Sequence, residues 1–165
     1  METEMHRNNS NLSHALEVGL AAGLLGTGVM VALRVFDQKY APPTIPRMKQ
    51  DPGEFMVRTF EKVTTQMPVS VRKSAALAMR LGYGSLMGCI YGLCRGKIRR
   101  RSALAEGAAL GTAVYAAGYL GWLPALHFSK PAWKQSFPQV AGELSRHLAF
   151  GVATAAAYKL IDTLV

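Results

Sequence analysis

The chain has 165 residues, half of them hydrophobic, with 19 Lys and Arg against 10 Asp and Glu for a formal charge of +9. That length suits one domain. The basic residues stand clear of long apolar tracts and gather between them, whereas a nucleic-acid face interleaves cations with polar and aromatic residues, so the pattern excludes nucleic acid and points to a lipid bilayer.

The first seventeen residues carry three glutamates and one arginine, with no positive n-region, so no cleavable signal peptide is expected and the first span is retained. Sixteen uncharged residues follow at 18–33, VGLAAGLLGTGVMVAL, and their apolar flanks extend them to spanning length. Residues 37–69 form one extramembrane loop. Pro42, Pro43 and Pro46 make its start stiff and extended. Asp51, Pro52 and Glu54 then read as an N-cap, a first helical position and a capping-box partner. Met56, Phe60, Val63 and Met67 follow at helical spacing until Pro68, which predicts a short amphipathic helix lying against the end of its own bundle.

The second tract, residues 81–94, is short between Arg80 and Arg95, but helical sequence from Ser70 runs into it and Arg80 can snorkel to the interface. The third has no charge from 107 to 129 and a natural stop at Leu123-Pro124. The fourth, 147–158, needs its apolar flanks to span. Cys89 and Cys94 are five apart, on different helix faces, and read as small core residues rather than a disulfide or redox pair.

The expected fold is therefore all-α. It is an integral membrane bundle of four transmembrane helices, at about 15–36, 78–95, 105–124 and 144–162 of a single membrane domain 1–165, with one amphipathic helix outside. Gly84, Gly88 and Gly92 fall on neighbouring turns, as do Gly19 with Gly23 and Gly107 with Gly111. Each interior glycine weakens a helix in water by about 1 kcal/mol against alanine. In a bilayer such faces permit the close van der Waals approach on which membrane helices depend. Arg95, Lys97, Arg99, Arg100 and Arg101 crowd one short turn, which places that turn and both termini in the cytoplasm, although 34–80 on the opposite side also holds nine basic residues.

Leu25-Gly26-Thr27 with Val29 matches Leu110-Gly111-Thr112 with Val114, and Arg80-Leu81-Gly82-Tyr83-Gly84 with Tyr91 matches His147-Leu148-Ala149-Phe150-Gly151 with Tyr158. Two tandem copies of a two-helix unit are expected, related by a pseudo-twofold axis along the membrane normal. On this reading Arg80, Gly84, Gly88 and Tyr91 form one inward stripe. His147, Gly151, Ala155 and Tyr158 form the other. The two stripes are expected to approach each other, with Asp37 as the acidic partner of Arg80, so that Arg80→Ala destabilises more than Arg95→Ala.

GLAAG in the first span, Pro42-Pro43 after Arg34 and Asp37, the aromatic-Gly-to-Tyr helix, the Lys97-Ile98 turn, and Pro131 through His147-Leu148 together resemble the YagU-like family of uncharacterised bacterial inner-membrane proteins. The resemblance covers most of the chain from about Gly19. It implies a multi-pass helical protein of the bacterial inner membrane and supplies no activity. The family tends to carry histidine in the second span where this chain has Arg80, so no proton-linked role is carried over.

The histidines His6, His14, His127 and His147 show no metal-ligand spacing, no serine lies in a nucleophile-elbow context, and the glycines lack the Lys-Ser/Thr of a phosphate loop. No enzyme, cofactor or metal is expected. Polar groups at bilayer depth or its edge remain: Arg34, Asp37, Arg80, Glu106, Arg146 and His147. Two functions fit. One is assembly, as a homo-oligomer or with a membrane-protein partner, through glycine faces and the long loop. The other is a small channel or carrier with a polar path between the repeats. A dry bundle with an exposed glycine face distinguishes the first, and a cavity between the spans the second.

Overall fold

A computed structural model describes residues 2–40, 52–62, 64–95 and 102–164, and every regular element in them is helical. The elements are α1 (Glu2–Tyr40), α2 (Pro52–Glu61), α3 (Val69–Arg95), α4 (Ala103–Ala116), a π-helical turn (Ala117–Trp122), α5 (Leu123–Ala125), a 3-10 turn (Ala132–Lys134) and α6 (Phe137–Leu164). The chain is all-α as the sequence indicates, and each expected span lies within one helix or one continuous helical rod. Among the described residues one helical segment, Asn11–Asp37, is long and apolar enough to cross a membrane. Asp51, Val63 and the basic turn 96–101 lie outside the described residues, as does the proline-rich start of the loop.

Local chemistry sets the ends of α4. Ser102 caps its start by accepting the Ala105 N–H at 3.2 Å. Near its end Gly121 takes φ −104° and ψ −105°, outside the helical region, and breaks the α-helical ladder into the π turn. This kink just precedes the Leu123-Pro124 stop read from the sequence, and it buries Tyr119 and Leu123.

The packing inverts the pattern of a water-soluble bundle. On α1 the buried side holds Val18, Gly19, Ala22, Gly23 and Thr27, while Leu20, Leu24, Leu25 and Val29 face outward. α3 repeats this, with Gly84, Gly88 and Gly92 inside and Leu86 outside at 54% exposure. Small residues inside and large aliphatics outside bring backbones together and leave an apolar surface.

The glycines meet in pairs. A Cβ added to Gly23 would stand 2.9 Å from Ser85 Cα and closer still to the Gly84 carbonyl, and one on Gly88 would stand 2.7 Å from Gly23 Cα. Neither space exists. In the second half of the chain Gly107 meets the Gly151 carbonyl and the Val152 backbone, and a Cβ on Gly151 would lie 2.9 Å from Gly111 Cα. The same contact thus joins α1 to α3 and α4 to α6. It is one residue out of register with the match of Leu25-Gly26-Thr27 to Leu110-Gly111-Thr112.

The two pairs join through α1 and α6, where a Cβ on Gly26 would lie 2.9 Å from the Phe150 carbonyl. The order across the bundle is α3, α1, α6, α4. The second and fourth spans therefore do not approach along their stripes as expected. They meet at Tyr91 and Tyr158, whose rings stand edge to face at 5.4 Å, because each stripe is already occupied by the glycine face of its own partner helix. α3 and α4 scarcely touch, which leaves a gap between them.

Helix α2 lies against α3 and the segment after α5, with the Phe55 and Phe128 rings 4.4 Å apart. It is shorter than predicted and buries a different face: Gly53 and Val57 are inside, while Met56 and Phe60 are exposed. Glu61 ends it, accepting the Met67 N–H at 2.9 Å and pairing with Arg72 at 3.0 Å. Glu54, expected to reach back in a capping box, pairs with Arg58 at 2.8 Å. Both cysteines are free. Cys89 is half-buried with its thiol on the Leu16 carbonyl, but Cys94 is exposed rather than part of the core.

Candidate functional site

The polar residues divide between the two ends of the bundle. At the end formed by the C-terminus of α1 and the N-termini of α3 and α6, a cavity of about 140 Å³ lies between the helix pairs. Arg34 reaches it from α1, Arg80 from α3, and Glu143 and His147 from α6. Its walls are otherwise apolar, with Met30, Met79, Val114 and Phe150 among them, and Gly53 and Met56 of α2 form a roof. The kink after α4 supplies Tyr119, Trp122 and Leu123. Across the gap between α3 and α4 the Trp122 indole N–H is aimed at the Tyr83 hydroxyl.

The acidic groups around this void have cationic partners. Arg146 donates from Nε to Asp37 at 2.8 Å and from Nη1 to Glu143 at 2.6 Å, so a single guanidinium bridges α1 and α6. Tyr119 also hydrogen-bonds Glu143. His147 donates from Nδ1 to the Glu143 carbonyl at 2.7 Å, since a carbonyl can only accept, and its ring sits edge-on to Tyr115 and Tyr119, each at 5.6 Å. The two tyrosines stack on each other at 4.8 Å.

The partner expected for Asp37 was Arg80; the structure pairs Asp37 with Arg146, on α6. Both α3 and α6 pack along α1, and from α6 the Arg146 Nε reaches Asp37 at 2.8 Å. Arg80 and His147 do share one end of the bundle, as the sequence match implies, and both line the cavity. Gly84 joins them in its wall, whereas Gly88 and Gly151 are spent on helix contacts below.

Tyr91 and Tyr158 belong to the opposite end, where a second cluster closes the bundle. Glu106 is buried at the start of α4 and accepts from Tyr91 Oη and, at 3.1 Å, from Lys159 Nζ. Arg95 approaches Glu106 at 3.8 Å, pairs with Asp162 at 2.9 Å, and lies over the Tyr158 ring at 4.7 Å. His14 adds a contact to Asp162 at 3.1 Å. Sequence reasoning singled out Glu106 as an ionisable group near the membrane, but its partners lie in other helices. Lys159 and Asp162 stand one turn apart on α6, and that spacing was the available signal.

No known family, curated protein or solved structure matches this chain. What the site can do is therefore argued from its geometry: a small, mostly apolar void lined also by Arg34, Arg80, Glu143 and His147, roofed by a short helix and walled by aromatic side chains.

Proposed function

We propose that this is a four-span protein of the bacterial inner membrane, in keeping with its resemblance to the YagU-like proteins, and that it acts as a small carrier whose ligand cavity is the void at Arg34, Arg80 and His147. The four spans are α1, α3, the α4–α5 rod and α6, and the two glycine-paired units, α1 with α3 and α4 with α6, are the tandem repeats. With both termini in the cytoplasm the cavity opens to the outside and the Glu106 cluster closes the cytoplasmic end.

One observation carries this reading. The glycine faces that would serve assembly with another chain are turned inward and paired within this one, while a cavity lies between the two pairs. Assembly through glycine faces loses its surface, and a carrier gains a site. A cavity closed at one end by charge pairs and an edge-to-face tyrosine contact is what an outward-facing state of such a carrier requires.

The test is thiol accessibility at a cavity position. With Cys89 and Cys94 replaced by alanine, Val114→Cys is expected to react with a membrane-impermeant reagent in right-side-out and in inverted vesicles, because a carrier presents its site to both faces in turn. Labelling from one side only reduces the cavity to a binding pocket, and none from either side removes it as a ligand site. In the same background a cysteine at Arg101 is expected to be protected in intact cells, and one at Pro46 to react.

A further inference from the structure

The chemistry of the cavity specifies its ligand more closely than carriage alone does. Around it Glu143 and Asp37 share Arg146, and Arg34 and Arg80 are among the lining residues, each engaged by the protein as well. A guanidinium has five N–H donors in a planar fork, so one that also contacts protein retains donors for a phosphate. Apart from Glu143, His147 and Thr27 the remaining wall is mostly apolar or aromatic, and it is shared by α3 and the α4–α5 rod, which scarcely touch and whose outer surface is aliphatic. Tyr83 and Trp122, amphipathic rings of the kind that settle at headgroup depth, stand on either side of the gap between them. The site therefore offers cations to a head and an apolar lateral exit to a tail.

We propose that the cavity seats the phosphate headgroup of one anionic phospholipid, with Arg34 and Arg80 holding the phosphate and the acyl chains leaving between α3 and α4 past Tyr83 and Trp122. Basic pockets between membrane helices hold anionic headgroups in this way. The void is too small for a whole lipid, so only the head is enclosed and the chains stay in the bilayer. The proposal rests on the cavity reading above and names its ligand class.

The chain has two tryptophans, Trp122 in the cavity wall and the exposed Trp133, so Trp133→Phe leaves a single reporter at the site. In neutral-detergent micelles, dihexanoyl phosphatidylglycerol is expected to change Trp122 emission saturably, while dihexanoyl phosphatidylcholine and inorganic phosphate do not. Arg34→Gln with Arg80→Gln is expected to weaken the response by about tenfold or more, the equivalent of losing at least one charge-assisted hydrogen bond. Lys134→Gln, an exposed charge on the 3-10 turn, is expected to leave it unchanged. If the double variant fails to fold by circular dichroism, Val114→Phe fills the cavity without altering charge and is expected to abolish the response. A full response from Val114→Phe overturns the proposal. So does phosphatidylcholine acting as well as phosphatidylglycerol. Inorganic phosphate acting as well as the lipid also overturns it, yet leaves the cavity as the site of a soluble anion. If no titrant moves Trp122 the proposal falls, and the Val114→Cys labelling then decides independently whether the cavity reading falls with it.

Discussion

The two ends of this bundle hold similar inventories of charge and put them to different use. At the Glu106 end the groups of α1, α3, α4 and α6 converge on each other: a carboxylate meets a lysine, an arginine and a tyrosine, and the arginine meets a second carboxylate and an aromatic face. At the Arg34 end Arg146 serves two carboxylates, and Arg34 and Arg80, which also contact protein, line a void. The difference follows from the helices. At the Glu106 end the Tyr91 and Tyr158 rings close α3 on α6, while at the other end the Gly121 kink supplies Tyr119, Trp122 and Leu123 to the cavity wall and α3 stays apart from α4. A bundle that is locked at one end and hollow at the other can move at the hollow end without unfolding.

Both ends depend on the glycine seam between them, so its loss is the largest effect expected. A leucine at Gly88 has no space, since even a Cβ would sit 2.7 Å from Gly23 Cα, and separating α1 from α3 is expected to cost about 3 kcal/mol or more. Thermal unfolding in detergent and the gel-filtration profile measure it. Gly82→Ala, where nothing lies within 4 Å, and Leu86→Ala on the outer surface provide the contrast and are expected to keep the parent's stability. Equal behaviour of Gly88→Leu and Gly82→Ala would remove the seam as the common support of the two ends.

The next effect separates the ends. Glu106→Ala strands Lys159 and the Arg95 side of the cluster in a buried setting, and breaking such a network by removing one member is expected to cost about 3–5 kcal/mol. Glu143→Ala leaves Arg146 its bond to Asp37, and the Glu143 side chain is more exposed than that of Glu106, so a smaller loss is expected. Comparing the thermal midpoints of the two variants tests whether the lock lies at the Glu106 end, and a larger loss from Glu143→Ala would place it at the other.

The same logic reverses an expectation from the sequence. Arg95 stands at the start of a basic turn and reads as an ordinary interfacial cation, with Arg80 as the special one. In the structure the Arg95 side chain is 15% exposed and holds Asp162, Glu106 and the Tyr158 ring, so Arg95→Ala is expected to destabilise more than Arg80→Ala. Arg80→Ala is expected to act on ligand response instead. Paired melting curves decide the order, and a greater loss from Arg80→Ala restores the earlier reading.

What the sequence revealed and what it hid divide along the range of the interactions. Gly19, Gly23, Gly84, Gly88, Gly107 and Gly111 were legible as contact faces because small residues on successive turns have a local signature. The shared end of Arg80 and His147 was legible through the internal match. The pairing of Asp37 with Arg146, the joining of the pairs through α1 and α6, and the union of Glu106 with Lys159 and, through Arg95, with Asp162 were not, since each depends on which helices become neighbours. Periodicity along one helix carries no record of that. The buried face of α2 was misread for the same reason: Met56 and Phe60 have the spacing of a core stripe, but α3 takes Val57.

The smallest expected effect tests whether acid acts on one end alone. Glu61 closes α2, the roof of the cavity, and its carboxyl is held below its ordinary value of 4.5, first by the Met67 N–H and then by Arg72, against the opposing pull of burial. A carboxylate whose pKa is lowered by folding stabilises the fold fully above its unfolded pKa, and that contribution is lost as pH falls through the lowered value. Glu61→Gln is therefore expected to melt below the parent at pH 7, with the difference shrinking below pH 4.5 and closing as pH falls through the lowered value and the parent's carboxylate takes up its proton. Arg58 and Arg72 are the cations that face Glu61, and the comparison of Glu61→Gln with the parent isolates the carboxyl of Glu61. Because α2 touches the cavity end and not the Glu106 end, the same acidification is expected to raise the reactivity of Val114→Cys toward an impermeant thiol reagent, normalised to a free thiol at the same pH because the thiolate is the reacting form, while leaving the normalised reactivity of Ala157→Cys, packed beside Tyr91 and Tyr158, unchanged. A parallel rise at both positions would mean that acid loosens the whole bundle and that the two ends are not independent.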